Sequence, residues 1–223
     1  MEIAVFAGVS ERVLQKLGSV SVTEIVPDGT VVVSEGACPQ YLHIVRKGVI
    51  ELYAQSGGNR STLCLLGSGD CFILAAVVSS TVSLMSARTL GQTELIDIPA
   101  QTFRKFLKTD QRLLANVSMQ LAGGYRSLVR QLRDQKLRTA SQRLAAYLVR
   151  LHREQGAYGV VTLPLRKQLI ASLLGMQPAS LSRAFAELQF LGVTVDRDRV
   201  SVASLEVLEA VAGTQPQLDE PDA

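Results

Sequence analysis

The sequence predicts an α+β chain built from an N-terminal antiparallel β-roll (jelly roll), a long dimerisation helix and a C-terminal winged helix-turn-helix. Three observations predict it. Short β-rich runs fill Val20 to Ile98, an unbroken helical pattern follows from Asp110 to Lys136, and two short amphipathic helices joined by a glycine turn precede two further β runs.

The first region reads as "TVVVSEG", "YLHIVRKGVIELY", "STLCLLGSGDCFIL" and "TELIDIP", separated by Gly, Pro, Asn and Asp at roughly ten-residue spacing. Runs of that kind make a small antiparallel barrel or jelly roll. After Pro99 the strands stop. In the helical pattern that follows, Leu114, Val117, Leu121, Gly124 and Leu128 are spaced 3, 4, 3 and 4, a heptad seam, with Arg126, Arg130 and Arg133 off it. The helix's own barrel could cover some of so narrow a stripe, but a second copy covers all of it, so these five residues are the expected dimer interface. Gly123 and Gly124 would let two backbones approach closely, or mark a weak point in the helix. A second helical run, Ser141 to Glu154, leads to "GVVTLP".

The segment "LIASLLGMQPASLSRAFAEL" carries the helix-turn-helix. Leu169, Ile170, Leu173 and Leu174 recur at helical spacing, as do Leu181, Phe185, Leu188 and Leu191. Between them Gly175 can take a positive φ and Pro178 suits a first helical turn. The face of the second helix left to solvent carries Ala179, Ser180, Ser182, Arg183 and Ala186. Small side chains permit close approach to a groove, and Arg183 can reach a guanine edge or a phosphate. With Gln177 and Lys167 beside them, Ala179, Ser180, Ser182 and Arg183 are the candidate DNA contacts. "VTVDRDRVSV" then reads as a hairpin wing about the turn "DRD".

An ordinary helical hairpin with a solvated face shows the same pattern, so charge has to separate the two. Residues 1–103 hold 6 Lys/Arg against 9 Asp/Glu, whereas residues 104–212 hold 17 against 8. The basic half contains the helix-turn-helix, the footprint expected of a phosphate-binding domain. The expected divisions are 1–108 for an effector domain, 109–137 for the dimerisation helix, 138–212 for the DNA-binding domain and 213–223 for a disordered tail.

Other classes find little support. No stretch of about 20 apolar residues is available to span a bilayer, and Glu2 stands where a signal peptide would be basic. The expectation is a cytoplasmic protein without membrane contact. Three cysteines, Cys38, Cys64 and Cys71, lack metal-ligand spacing and read as reduced core thiols. With two histidines and no nucleophile, Walker or zinc-protease motif, nothing assembles a catalytic site, so no enzyme is expected.

In order and length these parts resemble the CRP/FNR family of bacterial transcription regulators, in "FAGVSERVLQKL", "PDGTVVVSEG", "YLHIVRKGVIELY" and "LPLRKQLIASLLGMQPASLSRAFAELQFLGV". The resemblance implies a homodimer on palindromic double-stranded DNA, with RNA polymerase as a further partner of an activator. The family's recognition helix commonly uses Glu, Ser and Arg; Ser182 and Arg183 match, but the acidic position is Ala179. An alanine can offer a methyl contact and cannot accept from cytosine.

The family's cyclic AMP branch places a Glu and an Arg-Ser pair after Gly-Asp-x-Phe. Here the stretch reads "GDCFILAAVVSSTVSLMSARTL", with Ala75 near the acidic position and no arginine from Thr81 to Leu84. Arg88 matches a basic residue outside that cassette. Leu128 and Val129 stand where the helix's polar contacts to adenine lie. The implied effector pocket is apolar, formed by Cys71, Phe72, Leu74, Ala75, Leu84, Leu128 and Val129. The iron–sulfur branch needs an N-terminal cysteine cluster that is absent. "KQLIASLLGMQP" resembles the DNR branch, nitric-oxide-responsive regulators associated with haem. That makes haem a candidate cofactor and His43, Cys71 and Met85 its candidate ligands, although each residue also reads as ordinary packing. Alternatives are a cyclic-nucleotide-responsive regulator, a ligand-independent or thiol-oxidised one, and a β-roll adaptor that binds no DNA.

Overall fold

The structure, a computed structural model, describes residues 3–156 and 159–213. Residues 214–223 of the expected tail lie outside them. The chain forms two compact units, 1–125 and 126–223, which part within the long helix.

After a 3-10 turn (Ala4–Phe6), the first unit contains α1 (Glu11–Gly18), β1 (Val22–Val26), β2 (Val31–Val33), β3 (Tyr41–Ser56), β4 (Asn59–Leu66) and β5 (Cys71–Phe72). There follow α2 (Leu74–Ser79), β6 (Ser86–Pro99), α3 (Ala100–Leu107) and the start of α4 (Gln111–Leu137). All strand pairs are antiparallel, in the order β1-β6-β3-β4, with β2 also on β6 and β5 on β3. "TELIDIP" proves to be the second half of the 14-residue strand β6. The 16-residue β3 can bend in mid-strand because Gly48 has φ +104°, and a Cβ there would lie 2.7 Å from the Thr93 hydroxyl and 2.9 Å from its Cα. The β3–β6 register shifts on either side of it.

Two cores result. Val26, Val45, Ile50, Leu52, Phe72 and Leu95 fill one cluster. Leu42, Ile44 and Ile98 pack instead with Val13 and Leu17 of α1, Phe103 and Leu107 of α3, and Leu113 and Val117 of α4. The sequence reading had no element between Pro99 and Asp110; α3 forms there, without a side-chain cap, because Phe103 and Leu107 have a core to enter. Asp110 caps α4, accepting from the Leu113 N–H at 2.8 Å and the Ser10 hydroxyl at 3.1 Å. The Leu113 bond is the main reason its carboxyl lies below the ordinary value.

Packing of α4 corrects the expected seam. Val117 is 1% exposed in its own chain's core and Leu121 packs against that core, whereas Leu114, Tyr125, Leu128 and Leu132 are exposed. The exposed heptad positions are therefore Leu114, Ser118, Tyr125, Leu128 and Leu132, with Leu121 half-buried among them, so Val117 leaves the expected set while Gly124 is exposed.

The second unit continues with α5 (Ala140–Gln155), β7 (Val160–Thr162), α6 (Lys167–Leu173), α7 (Pro178–Gln189), β8 (Val193–Asp196), β9 (Arg199–Val202) and α8 (Leu205–Ala212). A capping box between Thr139 and Gln142 starts α5. Leu144, Leu148, Ile170, Leu181, Phe185, Leu188, Val200 and Leu208 share one core. The β8–β9 hairpin, with β7 beside β9, forms the wing. Leu191, read with the buried stripe of α7, lies beyond that helix and is exposed.

The cysteines do not form one class. Cys38 is exposed, not a core thiol, because it sits in the loop before β3. Burial, with the negative charge of Asp70 second, pushes the Cys64 thiol up to about 11 and that of Cys71 to about 12. Thiolate is the reactive form, so at pH 8 a water-soluble disulfide reagent should titrate Cys38 alone in the native protein and all three thiols after unfolding. Rapid native reaction of Cys64 or Cys71 would contradict this assignment.

Candidate nucleic-acid interface and effector region

The reader element is assembled by local rules. After α6, the Met176 N–H donates to the Ala171 carbonyl, Gly175 takes φ +62°, and Pro178 opens α7 with Gln177 as its N-cap. Leu181, Ala184, Phe185 and Leu188 are buried, which turns Ala179, Ser182, Arg183 and Ala186 outward. The Arg183 guanidinium folds along its own helix, with Nε donating to the Ala179 carbonyl and Nη2 to the Ser180 hydroxyl, both at 3.4 Å. The Ser182 hydroxyl donates to the Pro178 carbonyl at 3.1 Å. Lys167, exposed at the start of α6, holds its ammonium 5.5 Å from the Phe185 ring centre.

The structure thus brings Gln177, Ala179, Ser180, Ser182, Arg183 and Lys167 onto α7 and the adjoining start of α6. Sequence reasoning missed three exposed arginines of this unit: Arg166, the N-cap of α6, and Arg197 and Arg199 of the wing. The run "DRDR" was the signal for the two wing arginines, but its acids cancel its bases in any charge sum. Arg197 has φ +56°, as a tight hairpin tip requires.

The expected effector residues are scattered by comparison. Phe72 and Leu74 are buried in different clusters, and Cys71 is half-buried with that of Leu74. Ala75 is exposed, and Leu84 is 78% exposed because it lies in the loop after α2. Leu128 and Val129 belong to the second unit and are exposed. Among the first-unit residues, then, no common apolar wall is formed.

No basic residue lies on α2 or in the loop up to Ala87, and Arg88 is committed elsewhere. Its Nε donates to the Glu51 carboxylate, which is 1% exposed and also accepts from the Thr62 hydroxyl at 2.6 Å. Removing Arg88 would leave that carboxylate buried without its counter-charge, so the pair is structural. Both ends of α2 are left-handed: Ile73 has φ +59° and Ser80 φ +56°. For a β-branched residue such as Ile73 this costs about 1–3 kcal/mol.

The haem ligands do not converge either. His43 Nδ1 lies 2.7 Å from Asp97 Oδ1, and Phe72 stacks on its ring at 5.0 Å between centres. Cys71 packs with the α1–α3–α4 cluster and Met85 with the other. This set does not fit a haem. An open pocket of about 330 Å³ lies at the far end of α2, lined by Gln40, Tyr41, Ala76, Ser80, Thr81 and Arg104 among others, and by none of the three. Arg104, which no sequence signal marked, donates there to the Val77 carbonyl at 3.0 Å.

Comparison with known proteins agrees with this architecture. Residues 23–110 match the cyclic nucleotide-binding domain family, and residues 142–211 the Crp-like helix-turn-helix domain family. The cyclic AMP receptor protein of Thermus thermophilus is 26% identical over 186 residues, 82% of each chain. A solved structure from Silicibacter pomeroyi, provisionally described as a cAMP-binding regulatory protein, is 29% identical over 95% of this chain and 97% of its own, with a TM-score of 0.60. One from Eubacterium rectale, provisionally described as a regulator of the crp/fnr family, shares the fold at 18% identity, covering 94% and 98% of the two chains with a TM-score of 0.74. Among the described residues no helix is long and apolar enough to cross a membrane. A cyclic nucleotide-binding domain is followed on one chain by a Crp-like helix-turn-helix domain, the make-up of a Crp-like DNA-binding transcription regulator.

Proposed function

We propose that the chain is a cytoplasmic, homodimeric, sequence-specific regulator that binds palindromic duplex DNA through α7 and senses a small effector other than cyclic AMP. Effector sensing falls to residues 1–108, dimerisation to 109–137 and DNA reading to 138–212. An activator would also meet RNA polymerase. The observation that carries the reading is the outward face of α7. It offers small side chains and one guanidinium, with no acid before Glu187, in the half of the chain that is net basic.

Ser180 keeps the Arg183 guanidinium close to α7 in the free protein. In a major groove the same side chain extends to a guanine edge, while Ala179 can meet a thymine methyl. A two-fold dimer sets its recognition helices about 34 Å apart, one helical turn of DNA. The missing cation around α2 supports an effector other than a cyclic phosphate, since a desolvated anion there would have no fixed counter-charge. The likeness of "KQLIASLLGMQP" to the nitric-oxide-responsive branch supports a signal of another kind. A cyclic-nucleotide-responsive regulator is the second reading, favoured by the 29% identical structure from Silicibacter pomeroyi.

Two experiments test these readings. Arg183→Ala should weaken binding to the best selected duplex by about 1–3 kcal/mol and relax base preference there, measured by competition against random sequence. Equal loss on every sequence would restrict Arg183 to phosphate. Calorimetric titration with cyclic AMP should show no binding, and micromolar affinity coupled to tighter duplex binding would establish the second reading instead.

A further inference from the structure

The pocket of about 330 Å³ at the far end of α2 has no role in the account so far. The first unit builds it alone, from the loop before β3, the end of α2 and the first turn of α3. Among the described residues, Arg104 of α3 is the only charged side chain that lines it, and it is half-buried. Its Nη1 donates to the Val77 carbonyl at 3.0 Å, and it pairs with no carboxylate among the described residues. That leaves Nε and Nη2, the two parallel donors that take a carboxylate bidentately. The Tyr41 and Ser80 hydroxyls and the Gln101 amide also line the pocket, and none of them has a hydrogen-bond partner among the described residues. Pro39, Pro99 and Ala100 supply apolar wall.

We propose that this pocket binds a small organic anion with a single carboxylate, which pairs with Arg104 and lays its apolar body against Pro39, Pro99 and Ala100. One guanidinium balances one negative charge. The volume lies at the small end of the range for ligand sites, about 300–1,000 Å³. Neutral bonds from Tyr41, Ser80 and Gln101 complete the coordination of the carboxylate. The charge comes from α3, whereas α2 and the loop after it up to Ala87 carry no basic residue. As the signal of the regulator, the anion rests on the sensing role proposed for residues 1–108; its binding does not. The guanidinium that would hold it also ties Val77 of α2 to α3, and α3 shares its core with Leu113 and Val117 of α4.

Cys38 is exposed and lines the same pocket, so its thiol reports occupancy. In the native full-length protein at constant ionic strength, butyrate or benzoate should slow its reaction with a neutral dipyridyl disulfide in a saturable way. The slowing should reach about five-fold or more well above the dissociation constant. Butyramide and benzamide should not protect. Arg104→Gln should abolish protection. So should Gln101→Glu, which sets a carboxylate one turn from Arg104 on the same helix without removing the guanidinium from Val77. If Arg104→Gln does not fold, Gln101→Glu decides alone. No protection by either carboxylate, equal protection by the amides, or protection that survives Gln101→Glu would overturn the site. Protection without any change in duplex affinity would uphold the site and contradict the sensing reading instead.

Discussion

The burial of Leu113 and Val117 of α4 against α1, α3 and the sheet is the constraint on which the remaining structure depends. Each is 1% exposed or less. Full burial of such side chains stabilises by about 1.5–3 kcal/mol apiece, enough to fix the rotation of a helix about its axis. Once that rotation is set, Leu114, Tyr125, Leu128 and Leu132 have no place in their own chain's core and stand exposed along one stripe. The same helix continues into the second unit, where Arg143 donates to the carbonyls of Gln135 and Arg138 at its end. The α4 helix therefore packs into the core of the first unit and runs on to the start of the second.

That arrangement gives the proposed function its physical form. A ligand shifts a two-state protein only by its differential affinity for the two states. The segment around α2 is a reasonable place for such a difference, because Ile73 and Ser80 hold left-handed conformations at its ends and Arg104 anchors its Val77 carbonyl to α3. The α3 helix shares a core with Leu113 and Val117, so a rearrangement of α2 would be felt by packed side chains that already fix α4.

Legibility in the sequence followed the range of the interactions. The α6–α7 turn was readable because Gly175 and Pro178 each act through their own backbone, and the buried stripe of α7 because it repeats within one helix. The wing was readable for the same reason. By contrast, α3 has no side-chain cap to announce it and exists because Phe103 meets a core formed by distant strands and helices. The seam was ambiguous because Val117 and Ser118 both fit a 3-4 repeat, and only the tertiary partner decides which turns inward. Arg88 was read as lying outside the phosphate cassette, but its partner Glu51, 37 positions away on β3, could not be read from the sequence. Cys38 looked like a core thiol for want of any local sign that its loop is exposed. The grouping of Cys71, Phe72, Leu74, Ala75 and Leu84 into one pocket assumed a shared direction that sequence proximity does not supply.

The central claim is that the exposed stripe of α4 is where two copies meet. Sedimentation equilibrium of the native chain and of Leu128→Asp measures it most directly. Leu128 is 60% exposed, so the change should leave each chain folded, but in a paired seam it would bury two carboxylates without partners. The native protein should sediment at twice the 24.1 kDa chain mass at micromolar concentration, and the variant, with an unchanged thermal transition of its sheet, as a single chain. A native monomer, or a variant that remains a dimer, would contradict the account.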